Sequence, residues 1–151
     1  MKWFAKPMRI GALQCNFEKG SSLKVIDKWA DMGMNVEQLF HPMAESYTAL
    51  FNERRHGARL ARYVARAHRR GIRIILYLNT HIIEPSNSHR RARWAQRQAD
   101  GTYPKFYDTY YPCCINSPWR DYFFQCLEDL GKYDIDGIFL DGPALISEGC
   151  H

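Results

Sequence analysis

The sequence predicts an α/β fold in which strands and helices alternate, and three features of the chain predict it. Four apolar runs of strand length recur along the 151 residues. Amphipathic helical stripes separate them. The last run, Gly137 to Leu140, leads straight into Asp141 and a Gly142-Pro143 turn. Strands that alternate with helices in this way form a parallel sheet with right-handed crossovers.

The first strand is expected over Arg9 to Phe17. Ser21-Ser22 then gives a helix cap signal. The helix after it sets Val25, Ile26, Trp29 and Ala30 on one stripe and stops at Gly33. Asn35 to Phe40 is the second strand, opening into His41-Pro42, and a polar loop covers residues 42–56. The second helix, Ala58 to Arg70, buries Leu60, Tyr63, Val64 and Ala67 and ends at Gly71.

Ile72 to Asn79 is the third strand, marked by β-branched and aromatic residues with a glycine before and a polar tip after. A long connection follows, Thr80 to Asn116. It is expected to hold a short helix around Ser88 to Gln98 and a turn at Asp100-Gly101, and connections of such length usually carry function. Ser117-Pro118 signals a third helix. Its stripe is Trp119, Tyr122, Phe123, Cys126, Leu127 and Leu130, closed by Gly131.

The fourth strand, Gly137 to Leu140, is a continuous apolar run of the kind covered on both faces in parallel sheets. Phe139 and Asp141 share one side of it, and Ile138 and Leu140 the other. A carboxylate at the C-terminal end of such a strand sits where α/β barrels collect their chemistry. Asp-Gly is also a common turn pair, so position alone leaves a turn-forming role open.

Closure follows from what is missing after the first strand. Gln14-Cys15-Asn16-Phe17-Glu18-Lys19-Gly20 is no glycine-rich phosphate loop, which argues against an open nucleotide-binding sheet. A closed barrel needs about eight strands. Four are legible, so the expected fold is the N-terminal half, about four βα units, of a (β/α)8 TIM-type barrel. It forms a single, apparently truncated domain over residues 1–151.

Composition narrows the class. Hydrophobic residues at 46% and charged residues at 25% suit a soluble globular chain. No run approaches the roughly 18 apolar residues of a membrane span. Met1 to Pro7 lacks the apolar segment of a secretory signal, which suggests a cytoplasmic protein, although a mature secreted form would lack one too. Five cysteines in irregular spacing, without a C-x-x-C pair, fit a reducing compartment. Cys113-Cys114 reads as small apolar packing, and Cys150-His151 falls short of a metal site.

The net charge of +5 is concentrated in two clusters. Arg59, Arg62, Arg66, Arg69, Arg70 and Arg73 follow one another at helical steps, as on one solvated helix face. Arg90, Arg91, Arg93 and Arg97 form the second. No nucleic-acid motif accompanies them, so no nucleic-acid partner is expected.

Several segments together resemble the hypothetical glycosyl hydrolase 6 family, within the α-amylase and α-L-fucosidase-like barrel enzymes. They are Ala67-His68-Arg69-Arg70-Gly71-Ile72-Arg73 into Leu76-Tyr77-Leu78-Asn79, and Trp94 with Asp100-Gly101. Cys114-Ile115-Asn116-Ser117-Pro118-Trp119-Arg120-Asp121-Tyr122 and Asp134 to Pro143 complete the set. The resemblance runs from about Arg9 to Pro143. It implies a retaining-type glycosidase barrel whose fourth strand ends in the nucleophile, a role that falls on Asp141. The segment His41 to Phe51 lacks the aromatic-rich loop common in relatives, so no substrate preference carries over.

Glycoside cleavage canonically uses two carboxyl groups, one to attack or to activate water and one to protonate the leaving oxygen. Asp141 is the candidate for the first. The acid/base is expected from a later strand, with Glu18, Glu37, Glu45 and Glu84 as local alternatives. Glu37 holds a sugar hydroxyl if it points inward, or else serves as an inward-facing salt-bridge partner. Asn16, His41, Asn79 and His81 are candidate substrate-binding residues at strand ends, where loop capping is the plain alternative. Trp94 is a candidate for stacking on a sugar ring, or a core residue. Asn116 is expected to brace the helix start at Ser117.

No cofactor and no metal are expected, and the partners are a carbohydrate plus either a second copy or a missing C-terminal barrel half. A metal-dependent barrel hydrolase is the weaker enzymatic alternative, because Gln14-Cys15-Asn16 replaces a His-x-His pair. A non-catalytic carbohydrate-binding or assembly module is the other, since fold does not fix function.

Overall fold

The computed structural model describes residues 2–14, 22–40, 57–80, 82–83, 93–105, 108 and 110–142. The chain divides into two compact units, Met1–Leu78 with Leu130–Phe139, and Asn79–Asp129 with Leu140–His151.

The four-stranded sheet orders β1 (Ile10–Gln14), β2 (Val36–Phe40), β3 (Arg73–Asn79) and β6 (Gly137–Asp141) as β1-β2-β3-β6, and all of it but Asn79, Leu140 and Asp141 belongs to the first unit. Within it lie helices α1 (Ser22–Asp31) and α2 (Ala58–Arg69). β1 pairs parallel with β2, Ile10 opposite Val36 and Gln14 opposite Phe40. β2 pairs parallel with β3, Val36 opposite Arg73 and Leu39 opposite Leu76. β6 runs the same way along β3, because Asp136 N–H donates to Ile74 O at its start and Thr80 N–H to Asp141 O at its end. The α/β class, the parallel sheet and the sequential strand order are those the sequence predicts.

The core lies between the sheet and its helices. Ile26 of α1 and Leu60, Tyr63, Val64 and Ala67 of α2 are buried together with Leu39, Ile74, Leu76 and Leu78 of the strands. Alternation along β3 sends Ile74, Leu76 and Leu78 into this layer and leaves Ile75 and Tyr77 half-buried on the other side. Gly71 ends α2 with φ +74°, and Ile72 N–H closes back on Ala67 O at 2.9 Å. This left-handed stop is one a side chain would strain, and it turns the chain directly into β3. Gly11 has a different reason: a Cβ there would lie 2.9 Å from the Trp29 ring, so the indole packs flat on bare backbone.

The arginine-rich face of α2 is more than a solvated face. Arg66 pairs with Asp27 at 2.7 Å, and Arg70 reaches Asp27 at 3.2 Å and Asp31 at 2.9 Å, which ties α2 to α1. The Arg66 hydrogen bond holds the Asp27 carboxyl below its usual range.

The second unit contains β4 (Ile82–Ile83), β5 (Tyr111–Pro112) and most of α3 (Trp119–Gly131). β4 and β5 pair antiparallel, Ile82 opposite Pro112. Ser117 caps α3 as expected, its Oγ accepting from Trp119 N–H at 3.2 Å, while Asn116 is exposed.

Three expectations need correction. The first strand starts at Ile10, and of its predicted length Cys15 to Phe17 lie outside the described residues. The short helix around Ser88 to Gln98 does not extend past Trp94: Ala95 forms an isolated antiparallel bridge with Cys113, and Gln96 N–H donates to Pro112 O. Residues 88–92 of that helix lie outside the described residues. The fourth strand is not buried on both faces, since Ile138, Phe139 and Leu140 are 37%, 46% and 44% exposed. Among the described residues β3 is the one strand beside β6, and its apolar run is only half covered there.

Candidate active site

Asp141 is the last residue of β6 and is half-buried. Thr80, the residue just past the end of β3, holds its carbonyl oxygen twice. The Thr80 N–H donates to Asp141 O at 3.1 Å, and the Thr80 hydroxyl donates to the same oxygen at 2.9 Å. Thr80 is itself held from behind, because the Trp119 indole N–H donates to Thr80 O at 3.2 Å. Asn79, one residue earlier on β3, is 6% exposed. Two strand tips thus bring Asn79, Thr80 and Asp141 to one edge of the second unit.

Trp94 belongs to an aromatic cluster of the same unit. It stacks on Tyr122 with ring centroids 4.7 Å apart and lies 5.5 Å from Trp119. Its carbonyl accepts from Cys114 N–H at 2.7 Å. Two neighbouring rings therefore occupy part of the surface on which a sugar would stack. Cys113 is buried beside it, and burial pushes its thiol well above the usual range, which suits packing and not thiolate chemistry.

Glu37 is fully buried in the first unit, on the side of β2 that faces the helices. Tyr63 of α2 reaches both of its carboxyl oxygens at 2.7 Å. Burial raises the pKa to about 7, opposed by the Tyr63 hydrogen bond and by the nearby Trp29 indole. The Trp29 N–H approaches without closing a hydrogen bond of ordinary geometry. The one hydroxyl proton faces both oxygens, and a proton on Glu37 would satisfy the second contact by donating back to the Tyr63 oxygen. The inward-pointing, sugar-holding orientation considered for Glu37 is therefore not the one adopted, because the carboxyl shares a face with Leu39 and packs under Tyr63.

Asn16, His41 and His81 lie outside the described residues, as do Glu18, Glu45 and Glu84. Thr80 was not singled out from the sequence. The signal available was a hydroxyl-bearing, β-branched residue directly after the polar tip of the third strand.

A second polar cluster stands where β3 and β6 begin. Asp136 accepts from Ile74 N–H at 2.9 Å and from Arg73 at 2.9 Å, and pairs with His68 Nε2 at 2.7 Å. His68 Nδ1 faces Asp134 at 3.4 Å, and Asp134 takes a left-handed φ of 56° that aspartate tolerates. Although burial opposes it, this set of donors holds the Asp136 carboxyl below its usual range. Conserving strand alignment is the role such a cluster fits at the N-terminal end of a parallel sheet.

Comparison with known proteins identifies the group. Residues 38–142 match the hypothetical glycosyl hydrolase 6 family. The chain belongs to that family. Solved glycosidase structures share the fold. An α-galactosidase from Thermus thermophilus superposes with a TM-score of 0.69 at 17% identity, over 89% of this chain and 30% of that one. A noncanonic maltogenic α-amylase from Thermotoga neapolitana gives 0.68 at 16% identity, over 92% and 40%. An α-L-fucosidase from Paenibacillus thiaminolyticus gives 0.65 at 17% identity, over 92% and 24%. The chain thus spans well under half the length of these enzymes, as a partial barrel would. No curated protein sequence matches it.

Proposed function

We propose that this chain is the nucleophile-bearing part of a glycoside hydrolase barrel, with Asp141 as the attacking carboxylate. The observation that supports this most directly is the place of Asp141 at the C-terminal end of the fourth parallel strand, in a chain of a glycosyl hydrolase family. In the proposed step an Asp141 carboxylate oxygen bonds to the anomeric carbon as the glycosidic C–O bond breaks. An acid protonates the departing oxygen as that bond breaks, and water later releases the sugar by displacing Asp141 from the anomeric carbon. That acid comes from residues other than those described. Asn79 is the nearest candidate to hold a sugar hydroxyl, and Asn16, His41 and His81 are proposed beside it.

The test is covalent trapping. A 2-deoxy-2-fluoroglycosyl fluoride needs no acid for its leaving group, so Asp141 alone can displace fluoride. Mass spectrometry of a peptide digest is expected to find the sugar ester on Asp141 and none in Asp141→Asn. Labelling that persists in Asp141→Asn would show that the nucleophile is another residue. A chain that binds sugars but is labelled by no member of a gluco, galacto and fuco panel would be a carbohydrate-binding module.

A further inference from the structure

We infer that Thr80 is a positioning residue for Asp141, acting through its hydroxyl on the Asp141 carbonyl; this rests on the reading of Asp141 as nucleophile. The ladder bond from Thr80 N–H, at 3.1 Å, is one that any residue but proline supplies at this place. The 2.9 Å bond from the hydroxyl is additional and belongs to the side chain. With both in place the Asp141 carbonyl is held at two points.

Thr80 has little freedom of its own. The indole of Trp119, itself only 2% exposed, grips its carbonyl at 3.2 Å. Trp119 is the first residue of α3, whose start is fixed by the Ser117 cap. A rigid helix start thus reaches the strand tip through one side chain, and the strand tip reaches Asp141 through another. Attack at an anomeric carbon tolerates little misplacement of the carboxylate, and a displacement of about 1 Å can cost on the order of a hundredfold in rate. Among the described residues β3 is the one strand beside β6, so an extra bond from the β3 tip bears directly on the residue there.

Two substitutions separate the hydroxyl from the backbone. Thr80→Val keeps the branched shape and the ladder N–H and loses the hydroxyl. Thr80→Ser keeps the hydroxyl. With 2-deoxy-2-fluoroglycosyl fluorides as probes, Thr80→Val is expected to lower the first-order rate of Asp141 labelling about five- to tenfold, the size of one hydrogen bond. The concentration for half-maximal labelling should stay unchanged, and Thr80→Ser should restore the wild-type rate. A general loosening of the fold would move the concentration dependence as well. A second readout needs no sugar. Carbodiimide-driven coupling of an amine to the Asp141 carboxyl, followed by mass spectrometry, should differ at least twofold between Thr80→Val and wild type and match between Thr80→Ser and wild type. Equal sugar labelling in wild type and Thr80→Val overturns the positioning role and leaves the glycosidase reading intact. A wild-type chain labelled by none of the probes overturns the glycosidase reading, and the amine coupling then decides whether Thr80 sets the Asp141 carboxyl.

Discussion

At the scale of single residues, the most consequential feature outside the candidate site is Glu37. A carboxyl sealed between sheet and helices is at odds with its own ionisation. Its folded pKa of about 7 stands above an unfolded value near 4.5, so protonated Glu37 favours the fold. That contribution is fully present below about pH 4.5 and is lost as pH rises through about 7. The size of the shift corresponds to roughly 3 kcal/mol across that window. Urea unfolding of the wild type is therefore expected to show stability falling between about pH 5 and 7.5, against a flatter profile for Glu37→Gln. Parallel profiles for the two proteins would show that Glu37 is not the group responsible. Comparing the pair cancels every ionisable group that the two proteins share.

At the scale of elements, the start of β6 is pinned far more firmly than its sequence suggests. Asp136 meets Ile74 N–H, Arg73 and His68 at once, which joins the end of α2, the start of β3 and the start of β6. Asp136→Ala leaves Ile74 N–H without this partner and is expected to cost about 3 kcal/mol in urea unfolding at neutral pH. A loss under about 0.5 kcal/mol, the range of ordinary surface changes, would show that the cluster does not hold the strand. Elements with strong local signals were legible beforehand. β3 was clear from its β-branched run behind Gly71, and α2 from its single apolar stripe. β4 and β5 were not, because two-residue strands carry no period and Ile82 meets Pro112 only through the fold. The side faced by Glu37 was also hidden. In Val36-Glu37-Gln38-Leu39-Phe40 both alternating sets contain apolar residues, so alternation could not say which set meets the helices. Asp141 was legible because a carboxylate after an apolar strand needs no tertiary knowledge to be noticed, whereas Thr80 matters only through a bond to a residue 61 positions away.

At the scale of the whole molecule, the described residues hold four parallel strands in one sheet, where a closed barrel needs about eight. Closing a sheet on itself removes its edges, and an open parallel sheet leaves two. β6 shows what that means here, with Ile138, Phe139 and Leu140 all more than a third exposed in succession. Phe139 stacks on Tyr77 at 5.8 Å on one side of the strand, while Ile138 and Leu140 project from the other. At the opposite edge, Ile10 of β1 is 46% exposed. A strand edge without a partner among the described residues, with apolar residues on both faces, is a template for another strand, and β6 carries no lysine or proline of its own to discourage pairing. Expressed as these 151 residues, the chain is expected to self-associate through this edge. Light scattering at increasing protein concentration should show mass growth. The double substitution Ile138→Lys and Leu140→Lys should suppress it, because two like charges on one side of an edge strand repel their counterparts in a second copy. If the wild-type chain sediments as a compact monomer at high concentration, the β6 edge does not act as an open barrel edge, and some other part of the chain must cover it.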